Sequence, residues 1–274
     1  MKIKTLNFSL YVLVIMMVLL SCGEDDDSPT TITFRDKTEQ QAADKDSLLG
    51  YLTTHYYNSS FFEAGANHKY TDITITKLPQ DADGDYLAMP DPDDNTLLID
   101  AIETIEVEFL EVDYEYYILR INQGGGENPK FTDAIRVRYE GSNVQSETVF
   151  ESISTPQDLL LQGNGFNTFG TIKAWQYVMP TFNSAVVPSG GYSIVNGVVQ
   201  YENFGLGVMF IPSGLAYFAA SRPNIPAYSN LIFKFELLQH EEMDHDNDGV
   251  PSYVEDYNNN EDILDDDTDG DGLP

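Results

Sequence analysis

The chain carries one cysteine, Cys22, in 274 residues, so no disulfide within the chain can brace it. It has four histidines, His55, His68, His240 and His245, at no spacing that would build a zinc site or a catalytic triad. GxSxG, HExxH and phosphate-loop patterns are also missing, which leaves hydrolase and nucleotide chemistry without support. Positive charge is scarce. Only 14 Lys and Arg stand against 45 Asp and Glu, a formal charge of -31 that a phosphate backbone would repel. Nucleic acid is excluded as a partner, and cations or basic protein surfaces are the charged partners that fit.

Long apolar runs are missing too. The stretch at 10–20 follows Lys2 and Lys4 and is shorter than the roughly 20 residues a spanning helix needs, so residues 1–22 read as a secretory signal. It ends in Leu19-Leu20-Ser21-Cys22-Gly23, which resembles the lipobox of bacterial lipoproteins. That resemblance implies a lipid on Cys22, the first mature residue. It leaves no thiol for catalysis and makes the bilayer a partner through the N-terminal anchor. The expected location is the bacterial cell envelope, at the outer membrane on its periplasmic face or the cell surface.

With 42% apolar residues the chain can bury one good core and a smaller second one. Residues 23–36 form an acidic linker without periodicity. Thr38 with Gln41 makes a capping-box pattern, after which Leu48, Leu52 and Tyr56 recur on one face of a predicted helix. Ile73 with Ile75, then Ile105, Val107 and Phe109, alternate as strands around a Pro-, Asp- and Gly-rich loop at 79–95. Residues 37–113 are thus expected to form a small accessory α/β region.

From residue 114 to 240 the pattern is that of antiparallel β structure. Ile135, Val137 and Tyr139 share one strand face, with Arg136, Arg138 and Glu140 opposite. Leu231, Phe233, Phe235 and Leu237 repeat the device. Ile172, Trp175 and Val178 or Met179 lie at helical spacing in a short segment ended by Pro180. The predicted class is α+β, a curved antiparallel sheet wrapped around one short helix.

Five segments carry a more specific signal: VRYEG at 137–141, VFES at 149–152, TIKAW at 171–175, FIPSGLAY at 210–217 and IPAYSNLIFKFELL at 225–238. In this order and spacing the stretch 116–238 resembles an FKBP-type peptidyl-prolyl cis-trans isomerase. The resemblance implies a proline pocket floored by Trp175, with walls from Tyr139, Phe150, Ile172, Ile225 and Phe233. It also implies that Tyr217 donates a hydrogen bond to the bound peptide, that the Ile172 N–H holds a substrate carbonyl, and that Glu151 orients Tyr139. Catalysis in that family needs no cofactor, and the partners here would be proline-containing exported polypeptides.

The chain departs from the pattern at four places. Gln157 stands near a usual wall aromatic, Thr171 replaces an aliphatic, and Phe218 takes a position where glycine is common. Residues 184–207 lengthen a normally short connection; Asn196-Gly197 between apolar residues predicts a hairpin there, which could cover the pocket or extend the sheet. The alternative reading is therefore a catalytically weak module of the same fold, acting as a holdase or scaffold at the envelope.

Residues 241–274 hold 14 acidic residues and no Lys or Arg. Such a segment cannot fold by apolar burial alone. Asp244, Asp246, Asp248, Val250 and Glu255 match the DxDxDGx5E calcium loop, with Val250 offering its carbonyl and Ser252 a water-mediated contact. Asp267, Asp269 and Asp271 repeat the run, and the tandem resembles thrombospondin type 3 repeats. This implies structural Ca2+ in a C-terminal extension.

Overall fold

A computed structural model of the protein describes residues 34–65, 67–165, 168–189 and 192–266. The signal segment with Cys22, and the second aspartate run of Asp267, Asp269 and Asp271, lie outside the described residues. No helix among the described residues is long and apolar enough to cross a membrane.

Helix α1 (Lys37–Thr54) is capped by Asp36, whose carboxylate accepts from Thr38 N at 2.9 Å and Glu39 N at 3.0 Å. The cap lies two residues before the expected Thr38, because a short side chain on extended backbone places its oxygen over the first free amides. Gln40, Asp44, Leu48 and Leu52 form a buried stripe at a spacing of four, so two polar residues share the inward face with the two leucines. The helix ends before Tyr56, which falls in strand β1 (His55–Tyr57); β2 (Ile75–Lys77) and β3 (Thr96–Leu97) flank it in a small sheet. Ile73 lies outside β2 and is buried. A single turn, α2 (Leu98–Ala101), leads into the main sheet.

That sheet is antiparallel and six-stranded. Its first strands are β4 (Glu103–Phe109) and β5 (Val112–Asn122), followed by β6 (Ala134–Asn143) and β7 (Val149–Leu160). Helix α3 (Lys173–Val178) and the inserted hairpin β8 (Ile194–Val195) and β9 (Val198–Val199) come next. The chain then returns through β10 (Gly205–Ile211) and β11 (Leu231–Glu241), giving the order β4-β5-β10-β11-β6-β7. Ile105, Val107 and Phe109, assigned by sequence to the accessory region, thus belong to the sheet edge, and a boundary at 113/114 falls inside β5. Phe109 pairs with Val112, leaving Leu110 and Glu111 as a two-residue turn with φ of 51° and 64°. Both are left-handed, as a primed hairpin turn requires, yet neither is the Gly or Asn that announces such a turn.

Both faces of the sheet are buried. Tyr116, Ile118, Val137, Met209, Phe233 and Phe235 pack with Trp175 and Val178 of α3 on one side. Tyr117, Leu119, Val208, Phe210 and Ile232 pack with Leu48 and Leu52 of α1 on the other. Alternation along each strand sends neighbours to opposite cores, and β10, buried at every position, reads as an uninterrupted apolar run for that reason. The α+β reading holds at the level of a large antiparallel sheet with few helices.

Asn196 and Gly197 turn β8 into β9 with φ of 52° and 80°, the hairpin the sequence predicts. It neither extends the main sheet nor lines the cavity around Trp175. Val195 and Val198 instead border a separate cavity of about 720 Å³, with Tyr70, Arg138 and Glu236.

Candidate functional site

Trp175 is the third residue of α3 and is 3% exposed, so only a small part of the indole meets solvent. That part floors a cavity of about 350 Å³. Tyr139, Phe150, Glu151, Ile172, Tyr217 and Phe233 line the same cavity, so seven of the eight residues proposed from sequence converge there. Ile225, 6% exposed, packs in the core cluster behind it and is not among the lining residues. The rest of the lining, which includes Asp158, Leu159, Leu160 and Phe169, had no distinguishing signal in the sequence: these residues sit at the end of β7 and in the loop after it. Gln157 does not line the cavity, whereas Thr171 does.

The aromatic wall is fixed by edge-to-face contacts. Trp175 meets Tyr139 at 5.4 Å between ring centres and Phe233 at 5.4 Å, with ring planes 70° and 67° apart. Phe150 meets Phe233 at 5.7 Å and 81°. Such pairs set ring orientation as well as burying area. Gly141 makes room for them, because a Cβ there would lie 2.5 Å from the Phe150 ring and 2.9 Å from that of Phe233.

Polar groups at the rim are few. The Tyr139 hydroxyl donates to Glu151 Oε2 at 2.7 Å, and burial, then the Glu151 hydrogen bond and charge, push the phenol well above its ordinary range. The longer Glu151 side chain thus reaches the Tyr139 hydroxyl. Tyr217 is half-buried beneath the Arg222 guanidinium, 5.1 Å from its ring centre, and burial raises its phenol too, so it keeps its proton. Two donors on this lining have no acceptor among the described residues: the Tyr217 hydroxyl and the Ile172 N–H, which stands at the start of α3 before its hydrogen-bonded turns begin.

Phe218 follows in the left-handed region at φ 47°, which explains why a glycine suits this position. Here the aromatic is retained against Tyr228, 5.2 Å away and edge-on, and the Phe218 N–H bonds Ser213 O at 2.8 Å.

In the acidic extension, carboxylate oxygens of Asp244, Asp246 and Asp248 lie within 4.8 Å of one another. Glu255 is 3% exposed and not part of that group, and Ser252 turns inward, its Oγ 2.7 Å from His245 Nδ1. Val250 is exposed, with its N–H on Asp248. A second loop follows twelve residues on, one the sequence reading passed over because Asn replaces Asp in DxNxN. Asp256 accepts from Asn260 N and Glu261 N, as Asp244 accepts from Asn247 N and Gly249 N. Left-handed residues recur at the same offsets, Asn247 with Gly249 and Asn259 with Glu261.

No family model matches the chain and no curated protein matches it. Several solved proteins resemble it at low identity. They include FkpA from Escherichia coli, 24% identical over 46% of this chain and 48% of that one, TM-score 0.35, so that about half of FkpA is spanned. A peptidyl-prolyl cis-trans isomerase from Pseudomonas syringae is 14% identical over 77% of this chain and 99% of its own, TM-score 0.39. The N-terminal domain of FKBP42 from Arabidopsis thaliana is 16% identical over 46% and 87%, TM-score 0.35.

Proposed function

We propose that the chain is a prolyl cis-trans isomerase that binds a proline ring over Trp175. The observation that carries this reading is an open aromatic cavity whose lining residues include two donors, Tyr217 O–H and Ile172 N–H, with no acceptor among the described residues. Rotation about an X-Pro bond meets a barrier of roughly 18–20 kcal/mol because amide resonance must break, but no bond is made. An apolar wall excludes water from the amide, and donors held at fixed positions can bind the twisted form better than either planar one. Each 1.36 kcal/mol of that preference is about tenfold in rate. The β8–β9 hairpin does not line the cavity, which favours an accessible pocket over a blocked one. With the lipid anchor expected at Cys22, the clients are exported polypeptides.

A protease-coupled assay on a proline tetrapeptide tests this. The chain should accelerate isomerisation, and Tyr217→Phe should lower kcat/KM about fivefold, the worth of one hydrogen bond. A rate equal to that of buffer defeats the proposal.

The extension fits Ca2+ by its donor set, three carboxylates within 4.8 Å and only oxygen ligands on offer. Asp244, Asp246, Asp248 and the Val250 carbonyl would hold the first ion, and Asp267, Asp269 and Asp271 would serve the second run. Calorimetry should show calcium uptake that the pair Asp244→Ala and Asp248→Ala reduces; a titration unchanged by these substitutions rules out the first loop.

A further inference from the structure

We propose that the C-terminal extension braces the proline pocket, with Gln162 as the positioning residue that connects them. This rests on the isomerase reading and assigns a role to a segment that the sequence presents as a separate acidic tail.

The loop at 161–170 joins β7 to α3 and delivers Phe169, Gly170, Thr171 and Ile172 to the cavity. Within it Asn164 and Thr168 bond each other, the Asn164 N–H donating to Thr168 Oγ1 at 3.0 Å and the Thr168 hydroxyl to Asn164 Oδ1 at 2.9 Å. A Cβ on Gly163 would lie 2.3 Å from Thr168 O, and one on Gly170 2.5 Å from Leu161 O, so the chain closes backbone on backbone. Behind it is a second cavity of about 300 Å³ that also touches Phe169, Gly170 and Thr171, and whose far side is Asp262 and Leu264 of the extension. Phe169, Gly170 and Thr171 thus border both cavities. Contacts from outside the loop add to the Asn164–Thr168 tie within it.

The extension holds it at several points. Gln162, 5% exposed, donates from Nε2 to Asp262 Oδ1 at 2.6 Å and accepts the Ile263 N–H at 3.3 Å on Oε1. Its own carbonyl lies 2.9 Å from His245 Nε2. Lys173, the first residue of α3, donates to Glu261 O at 3.0 Å. Ile263 is fully buried, and Leu264 lies against Gly165. These contacts flank the Ile172 N–H from both directions along the chain. Gln162 uses both ends of its amide on the extension, which makes it the residue whose polarity sets the register.

Gln162→Glu in the full chain places a carboxylate against Asp262 and removes the donor. Adding Asp262→Asn reverses the pair, since the introduced carboxylate can accept from the introduced amide. Two readouts decide. Hydrogen exchange at Thr171 N–H, bonded to Leu160 O and Leu161 O, should quicken about fivefold in Gln162→Glu and return to the parent rate in the double variant. KM for a proline peptide should rise about fivefold with kcat unchanged, again restored in the double variant. Asp262→Ala, at a half-buried position, carries the same expectation should Gln162→Glu not fold. A parent chain without isomerase activity would remove the proposed function, yet the exchange rates would still decide the brace. Unchanged Thr171 exchange and unchanged KM in an active chain would overturn the brace alone.

Discussion

Trp175→Ala is expected to lower kcat/KM for proline peptides by at least about tenfold and to lower stability by about 3–5 kcal/mol. The indole is almost wholly buried and makes edge-on contacts with Tyr139 and Phe233 and a tilted one with Phe235, so truncation opens a void among rings that cannot collapse. The same void joins the pocket floor, where water would enter and solvate the amide that catalysis must keep dry. Trp175→Leu separates the two effects by restoring apolar volume without a flat floor. It should recover part of the stability and little of the rate. Urea unfolding beside the peptide assay checks both, and a Trp175→Ala chain with parental kcat/KM would show that the ring is only core.

Asp44→Ala is expected to cost about 3 kcal/mol, although Asp44 lies on α1, on the far face of the sheet. Its carboxylate accepts from Ser213 N at 2.9 Å, Ser213 Oγ at 2.6 Å and Gln40 Nε2 at 2.7 Å, and the Asn230 amide reaches its carbonyl at 3.1 Å. Asp44 is 2% exposed and Ser213 fully buried, so the substitution strands the Ser213 hydroxyl and the Gln40 amide away from water, while Ser213 N keeps Asn230 Oδ1. Ser213 begins the turn whose carbonyl accepts the Phe218 N–H, and Tyr217 sits inside that turn. A drop in kcat/KM should therefore accompany the loss of stability, giving the accessory helix a part in the site.

Burial, opposed by the bonds to Ser213 and Gln40, raises the Asp44 pKa above its ordinary 3.8. The folded state thus binds this proton more tightly than the unfolded chain does. Its contribution is complete below the unfolded value and lost as pH rises through the folded one, so this residue makes stability fall with pH in that window. Asp44→Asn should remove that component, as denaturation midpoints at stepped pH would show.

Much of the pocket was legible because its residues repeat with the period of their strands. Ile135, Val137 and Tyr139 are buried and Arg136, Arg138 and Glu140 are not, since β6 packs apolar side chains on one face only. The Asn196-Gly197 hairpin was legible from two residues that accept positive φ. The β4–β5 hairpin was not. Leu110 and Glu111 adopt the same turn without the residues that advertise it, and the strand before it was grouped with the accessory region. Gln40 and Asp44 escaped attention because a polar residue on a helix ordinarily marks its wet face. Here, beside Gln40 one turn earlier, the partners that satisfy Asp44 lie 169 and 186 residues away.

By itself the sequence determined which side chains share a face on each strand and so which aromatics the strands bring toward Trp175. Only the tertiary structure decided that α1 and the acidic extension brace the pocket from two sides, through Asp44 and Gln162. The physical reason is that alternation and turn chemistry are written in adjacent residues. A buried hydrogen bond between distant ones depends on where the sheet brings the chain back.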